Sequence, residues 1–127
     1  MRFRISIAIG GILLLLGAAA TAPATTTRSP TEVTFTWVSP RTAQPGEFVR
    51  LAGNIFSHSP GSAVGGPALF RVSEAGSTIR KKIIRVHEGR FFTWTRFSKP
   101  GIYRVVVSYP GDSRRLPGSG SVTIRVT

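Results

Sequence analysis

The chain carries few side chains that could do acid–base chemistry. Its 127 residues include two histidines, five carboxylates and no cysteine. His87 and Glu88 are adjacent, and adjacent side chains on a strand point to opposite faces, so they make a poor acid–base pair. Ser57 and His58 are also adjacent, in a stretch rich in Ser, Pro and Gly. No nucleophile, base and orienting group can be assembled from these residues, so the sequence predicts a protein without enzymatic activity.

The sequence also predicts no metal and no cofactor. Two isolated histidines are too few ligands for zinc, and calcium needs several oxygen ligands at once. Phosphate-binding loops and nucleophile-elbow motifs do not occur. Asp112 follows Tyr109-Pro110-Gly111, and a short carboxylate after a glycine is expected to accept hydrogen bonds from nearby backbone amides.

Charge is the strongest functional signal. There are 17 Lys and Arg against 5 Asp and Glu, which gives a formal net charge of +12. A field of this sign attracts acidic wall polymers, anionic lipid headgroups, acidic polysaccharides and nucleic acid. The candidate residues for an anionic ligand combine a basic run with two residues of the next strand: Arg80, Lys81, Lys82, Arg85, Trp94 and Arg96. The alternative is a solvated basic surface or a compositional bias toward arginine.

Aromatic residues on the same segment suggest how a ligand could be held. If Phe91 faces the core, Phe92 and Trp94 lie with Arg96 on the outer face. Aromatic rings stack on sugars or bases, and Arg pairs with phosphate or carboxylate. The alternatives are that a loop or the N-terminal segment covers this face, or that the register is reversed and Trp94 lies in the core. Trp37 is expected to lie in the core.

These residues must be positioned by strands, because apolar and polar residues alternate with period two after Pro30. Pro-Gly and related turn signals separate the alternating segments. Seven strands are predicted, at 32–38, 46–55, 67–74, 77–87, 90–97, 101–109 and 119–126. Two sheets must face each other to bury the apolar faces, which predicts an all-β, seven-stranded sandwich. Residues 78–86 break the alternation, and a β-bulge near Lys81-Lys82 would restore it.

The N-terminus has the three parts of a secretory signal peptide. Arg2 and Arg4 precede an apolar run from Ile5 to Gly17, and small residues follow to Ala24. Cleavage is expected after Ala20 or Ala24. The alternative is an uncleaved membrane anchor, although the apolar run is shorter than the roughly 20 residues that span a bilayer. The predicted organisation is therefore a signal peptide at 1–24, a linker at 25–30 and one domain at 31–127, secreted or at the cell surface.

Several short motifs resemble a known domain family in their order and spacing. They are Gly89-Arg90-Phe91, Pro100-Gly101-Ile102-Tyr103-Arg104-Val105, Tyr109-Pro110-Gly111-Asp112, Ser121–Val126 and, upstream, Pro45–Gly53. Together they resemble the bacterial immunoglobulin-like (Big-type) domains of secreted and cell-surface proteins, over most of residues 31–127. The resemblance implies an immunoglobulin-like sandwich with a role in adhesion, spacing or ligand presentation and no catalytic residues. The family usually occurs as repeats, whereas this chain has one copy.

The sequence thus predicts a secreted or surface-associated immunoglobulin-like module with a non-catalytic binding, adhesion or structural role. Its expected partner is an anionic cell-envelope polymer or a surface protein. A specific nucleic-acid partner is not expected, and membrane association is expected only if the signal segment is uncleaved. The alternatives are a small secreted inhibitor acting through the Ser57–Gly66 loop or an uncleaved membrane-anchored accessory domain. Ligand identity, oligomeric state and an immunoglobulin-like or transthyretin-like strand order remain open.

Overall fold

A computed structural model describes residues 27–58 and 63–127. These residues form two β-sheets that pack face to face, and they contain no helix. The strands are β1 (Thr31–Ser39), β2 (Thr42–Ala43), β3 (Phe48–Ser57), β4 (Gly66–Glu74), β5 (Ser77–Val86), β6 (Arg90–Arg96), β7 (Gly101–Tyr109) and β8 (Gly118–Val126). One sheet has the order β1-β3-β6 and the other has the order β2-β8-β7-β4-β5.

The predicted all-β sandwich is confirmed. Each of the seven predicted strands has a counterpart whose bounds differ by at most two residues. The strand that the sequence pattern does not reveal is β2, whose two residues pair in parallel with Arg125 and Val126 of β8. The predicted signal peptide, its cleavage positions and residues 59–62 of the Ser57–Gly66 loop lie outside the described residues.

The core lies between the sheets and is built from the alternate residues of each strand. The largest fully buried side chains come from both sheets and from the loop before β4: Leu51 and Val49 from β3, Val64 from that loop, Phe70 and Val72 from β4, Val105 and Val107 from β7, and Ile124 from β8. Phe91 packs edge-on against Phe35, with ring centroids 5.5 Å apart. Phe97 stacks on Tyr103 at 4.2 Å, so aromatic pairs fill the core near both ends of β6.

Gly53 allows the strands of the smaller sheet to pack closely around Phe91. A Cβ atom at this position of β3 would overlap the Thr34 carbonyl oxygen and the Phe91 ring. Gly120 of β8 plays a similar part where β8 passes β1, because a Cβ there would overlap the Val33 carbonyl oxygen. The two sheets therefore approach each other closely along the β1–β8 side of the sandwich.

The opposite side of the sandwich is formed by β5 and β6. A tight turn joins them at Glu88 and Gly89, which both have positive φ angles, and His87 pairs with Arg90 at its base. Beyond this turn the two strands separate, since β5 is an edge of the larger sheet and β6 is an edge of the smaller one. This divergence leaves a seam between two strand edges, which side chains must cover.

The structure corrects two sequence-based predictions of register. Trp37 does not lie in the core, because the β1–β3 pairing shifts between Phe35 and Trp37 and places Trp37 outward, opposite Ala52. The β5 strand does contain the predicted irregularity, but it lies at Ile79, which has no partner on β4, rather than at Lys81-Lys82. The basic residues after Ile79 keep the regular alternation, and Arg80 can occupy an inward position because the core ends at this edge.

Candidate functional site

The six predicted ligand-binding residues occupy three different places on the sandwich. Trp94 and Arg96 point outward from the three-stranded sheet, as the sequence predicts from Phe91 being buried. Lys81 and Arg85 point outward from the five-stranded sheet. Arg80 and Lys82 alternate with these two on β5 and point toward β6. The sequence cluster is therefore not one site, and each part has its own surroundings.

The outer surface of the three-stranded sheet is the most aromatic surface among the described residues, and we call it the aromatic face. It is formed by outward side chains of β1, β3 and β6: Glu32, Trp37, Phe48, Arg50, Ala52, Asn54, Phe56, Arg90, Phe92, Trp94 and Arg96. The five aromatic side chains are each between 47% and 56% exposed. Exposed apolar side chains that gather on one face are typical of a binding surface.

Cross-strand register sets the spacing of the rings on the aromatic face. Trp37 and Phe92 both pair with Ala52, one from each side. Since neighbouring strands lie about 4.8 Å apart, the backbones of Trp37 and Phe92 are separated by about 10 Å. The small side chain of Ala52 lies between them. Phe92 and Trp94 follow each other along β6, with ring centroids 6.2 Å apart and planes inclined by 63°.

Arginine side chains stand among these rings. Arg50 pairs with Trp94 across β3 and β6. Together with Phe48 and Phe92 they line a shallow groove of about 430 Å³. The guanidinium carbon of Arg96 lies 5.0 Å from the Phe48 ring centroid, which is cation–π distance. The groove therefore presents apolar ring surfaces and fixed positive charge side by side.

Arg80 and Lys82 close the seam between the sheets. Lys82 Nζ donates to the Trp94 carbonyl oxygen at 3.0 Å, and Arg80 Nη1 donates to the Arg96 carbonyl oxygen at 3.0 Å and to the Thr95 hydroxyl. The pKa of Lys82 is lowered, mainly by partial burial and to a smaller extent by repulsion from the positive charge of Arg80. These two cations donate to the open edge of β6 and so join the two sheets.

Lys81 and Arg85 belong to a second basic surface. They stand on β5 opposite Arg71 and Pro67 of β4, respectively, and their side chains are exposed. The body of the sandwich separates Lys81 from the aromatic face, because the two lie on opposite sheets. Arg85 lies nearer the β5–β6 turn and also lines a groove with Asn54 and Phe92. One compact ligand cannot contact Lys81 and Trp94 together.

The remaining polar residues form local contacts. The ring of His58 packs edge-on against that of Phe56 at 5.1 Å, and His87 lies in the β5–β6 turn. Among residues 27–58 and 63–127, no three His, Asp or Glu side chains come close enough to hold a metal ion. A helix with the length and hydropathy of a membrane span does not occur in the same ranges.

Asp112 accepts the backbone hydrogen bonds that the sequence predicts. The amides of Arg114 and Arg115 both donate to Oδ1 at 2.8 Å. The Tyr109 hydroxyl and the Arg115 guanidinium donate to Oδ2 at 2.9 Å and 2.8 Å. The Arg114 amide is the main cause that lowers the Asp112 pKa from 3.8 to about 2. Burial is the largest cause that raises the pKa of Tyr109, and the hydrogen bond from its hydroxyl to Asp112 is the second. These contacts together hold the loop before β8.

Residues 27–30, which include part of the predicted linker, contact the same loop. The Ser29 amide donates to the Arg114 carbonyl oxygen at 2.8 Å, and the Leu116 amide donates to the Ser29 carbonyl oxygen at 2.8 Å. Ordered contacts with the domain therefore begin before Thr31.

Sequence reasoning placed only Phe92, Trp94 and Arg96 on the aromatic face and missed its other members, among them Phe48, Arg50 and Trp37. Phe48 and Arg50 could have been found, because the alternation that buries Val49 and Leu51 turns their neighbours outward. Their position beside Trp94 could not have been predicted, because the sequence does not show which strands pair. Simple alternation from Val33 and Phe35 turns Trp37 inward, and the sequence gives no clear signal of the shift after Phe35 that turns it outward.

Comparisons with known proteins support the fold alone. No protein-family model matches the chain, and no curated protein matches it significantly. The chain is similar in structure to part of a Paenibacillus sp. cycloisomaltooligosaccharide glucanotransferase, solved in complex with cycloisomaltoheptaose. The TM-score is 0.58 and the sequence identity 15%, over 78% of this chain and 14% of the glucanotransferase. The chain thus spans a small part of that enzyme's length.

Proposed function

We propose that this protein is a secreted or surface-associated immunoglobulin-like module that binds acidic polysaccharide of the cell envelope without catalysis. The observation that carries the proposal is the aromatic face, where exposed Trp and Phe rings alternate with arginines on one sheet. The proposed binding requires no reacting groups, because aromatic rings and guanidinium groups can hold a saccharide by stacking and hydrogen bonds.

The rings favour a sugar ligand. Five aromatic side chains stay about half exposed on one face, whereas large aromatic side chains are usually mostly buried. The apolar faces of sugar rings can stack on such side chains, while their hydroxyl groups remain hydrated. The ring positions on either side of Ala52 are about 10 Å apart by strand spacing, so an extended chain lying across the strands could contact both Trp37 and Phe92.

The arginines favour an acidic ligand. Arg50, Arg90 and Arg96 lie on the aromatic face, and guanidinium groups form strong paired hydrogen bonds with carboxylate and phosphate. Two carboxylates of the described residues lie near this face: Glu32, which pairs with Phe56 at the far end from Arg96, and Glu88, which lines a groove with Arg90 and Phe92. The described residues that line the groove beside Trp94 include no carboxylate.

The strand order supports the immunoglobulin-like assignment rather than a transthyretin-like one. The order β1-β3-β6 corresponds to strands A, B and E, and β8-β7-β4-β5 corresponds to G, F, C and C′. The similarity to the glucanotransferase is a similarity of fold and says nothing of this chain's ligand. The proposed sugar ligand rests on the aromatic side chains.

The test is a titration of the purified protein with polygalacturonate and with uncharged dextran across a salt series. We expect polygalacturonate to bind more tightly, with an affinity that falls as salt rises. Stacking on one ring contributes about 1–3 kcal/mol in nucleic-acid complexes, so Trp94→Ala should weaken binding about ten-fold. Arg50→Gln should weaken binding and reduce its salt dependence.

Ile102→Ala is the matched control, because Ile102 is equally exposed but lies on the other sheet. Unchanged affinity in Trp94→Ala would contradict the proposed site. Equal affinity for polygalacturonate and dextran would contradict an acidic ligand.

A further inference from the structure

The outer surface of the five-stranded sheet is strongly and uniformly basic, and we call it the basic face. Its cations come from four adjacent strands: Lys81 and Arg85 on β5, Arg71 on β4, Arg104 on β7 and Arg125 on β8. The five carboxylates of the chain all lie within the described residues. None is on this face, because Glu74 points inward with Tyr103 and the others lie on the other sheet or in turns.

Aliphatic side chains lie exposed between these cations. Ile83 stands between Lys81 and Arg85 on the outward side of β5, and at 65% it is the most exposed large apolar side chain of the described residues. It pairs with Leu69 of β4. Both contribute to a shallow groove of about 300 Å³ whose surface is almost wholly apolar, with Pro67 and Pro110 at its rim.

We infer that the basic face docks on the surface of an anionic lipid bilayer. The five cations would pair with headgroup phosphates, and Ile83 would enter the boundary between headgroups and acyl chains. Long basic side chains can keep their charge at the headgroups while an aliphatic neighbour lies deeper. This mode of membrane association needs no membrane-spanning segment and is separate from the polysaccharide site on the opposite sheet.

The chemistry of the basic face favours a bilayer over a soluble acidic polymer. Its exposed apolar groups are aliphatic, and aromatic rings that could stack on sugars are absent from its outward positions. An isoleucine flanked by Lys81 and Arg85 gains little from a hydrated polymer but gains apolar burial in a lipid interface. Charge complementarity with an anionic leaflet supplies the remaining attraction.

The experiment is co-sedimentation of the purified full chain with vesicles of phosphatidylglycerol and phosphatidylcholine, compared with phosphatidylcholine alone. Removing one surface cation should weaken partition about five-fold, the equivalent of about 1 kcal/mol. Lys81→Gln combined with Arg85→Gln should therefore lower partition to phosphatidylglycerol vesicles about 25-fold. Ile83→Ser should lower it several-fold without a change in charge. Residues 1–26 are the same in every variant, so differences between variants report on the sheet surface.

Trp94→Ala is the matched control and should bind the vesicles as the unaltered protein does. The inference is overturned if the protein prefers neither vesicle at low salt, or if Trp94→Ala loses binding while the double variant keeps it. It is also overturned if Ile83→Ser binds unchanged and soluble polyphosphate displaces the protein fully, since the face would then attract any polyanion. Circular dichroism of each variant checks that the sandwich is intact.

Discussion

Lys82 Nζ donates a hydrogen bond to the Trp94 carbonyl oxygen at 3.0 Å, and this bond joins the two sheets of the sandwich. Lys82 lies on an edge strand of the larger sheet, and Trp94 lies on an edge strand of the smaller one. The backbone of Trp94 is thus held by the seam, while its indole ring is presented on the aromatic face. The same strand serves stability through its carbonyl groups and the proposed binding through its side chains.

Lys82→Met tests the seam. The variant keeps an apolar stem over the Phe70 ring, where the ammonium group lies 5.0 Å from the centroid, but it removes the donor to Trp94. Losing one such bond should lower the free energy of unfolding by about 1 kcal/mol, measured by urea denaturation. Lys81→Met is the matched control, since the neighbouring lysine points away from β6. Equal midpoints for the two variants would contradict a structural role for Lys82.

Asp112→Asn tests the acid dependence of stability. The folded-state pKa of Asp112 is about 2, below its usual value of 3.8, so the unfolded chain takes up the proton first as the pH falls. Its contribution to stability is complete above about pH 4 and is lost as the pH falls toward 2. The variant should therefore show a smaller decrease in urea midpoint between pH 4 and pH 2. A decrease as steep as in the unaltered protein would argue against this network.

Gly53→Ala tests the close packing of the smaller sheet. The added methyl group would overlap the Thr34 carbonyl oxygen and the Phe91 ring, and neither belongs to a flexible chain end. Overpacking of this kind should lower the free energy of unfolding by about 1–3 kcal/mol or more. Gly65→Ala is the matched control, because its nearest atom would lie at 3.8 Å. A thermal melt of Gly53→Ala that matches this control would contradict the packing described.

Much of the fold follows from the sequence because alternation and turn residues act locally. The run from Gly101 to Tyr109 reads as a strand from its own residues, and the turn at Gly89 follows from positive-φ geometry. The outward direction of Trp94 also follows, once Phe91 is placed in the core. Asp112 could be assigned to a backbone contact because its partners lie within three residues.

The composition of each surface could not be predicted, because it depends on which strands become neighbours. Arg80 and Lys81 are adjacent in sequence, yet one closes the seam and the other lies on the basic face. Alternation places their side chains on opposite faces of β5. It does not show that β5 and β6 belong to different sheets, and this is what gives each face its neighbours. Trp37 shows the same limit at one residue, since a single register shift reverses its direction.

The most direct test of the proposed binding site uses the protein's own fluorescence. Both tryptophans of the chain, Trp37 and Trp94, lie on the aromatic face and are about half exposed. Polygalacturonate should shift their emission to shorter wavelength as it covers the rings, whereas phosphatidylglycerol vesicles at the basic face should leave the emission unchanged. Binding of polygalacturonate without any change in tryptophan emission would contradict a polysaccharide site on this face.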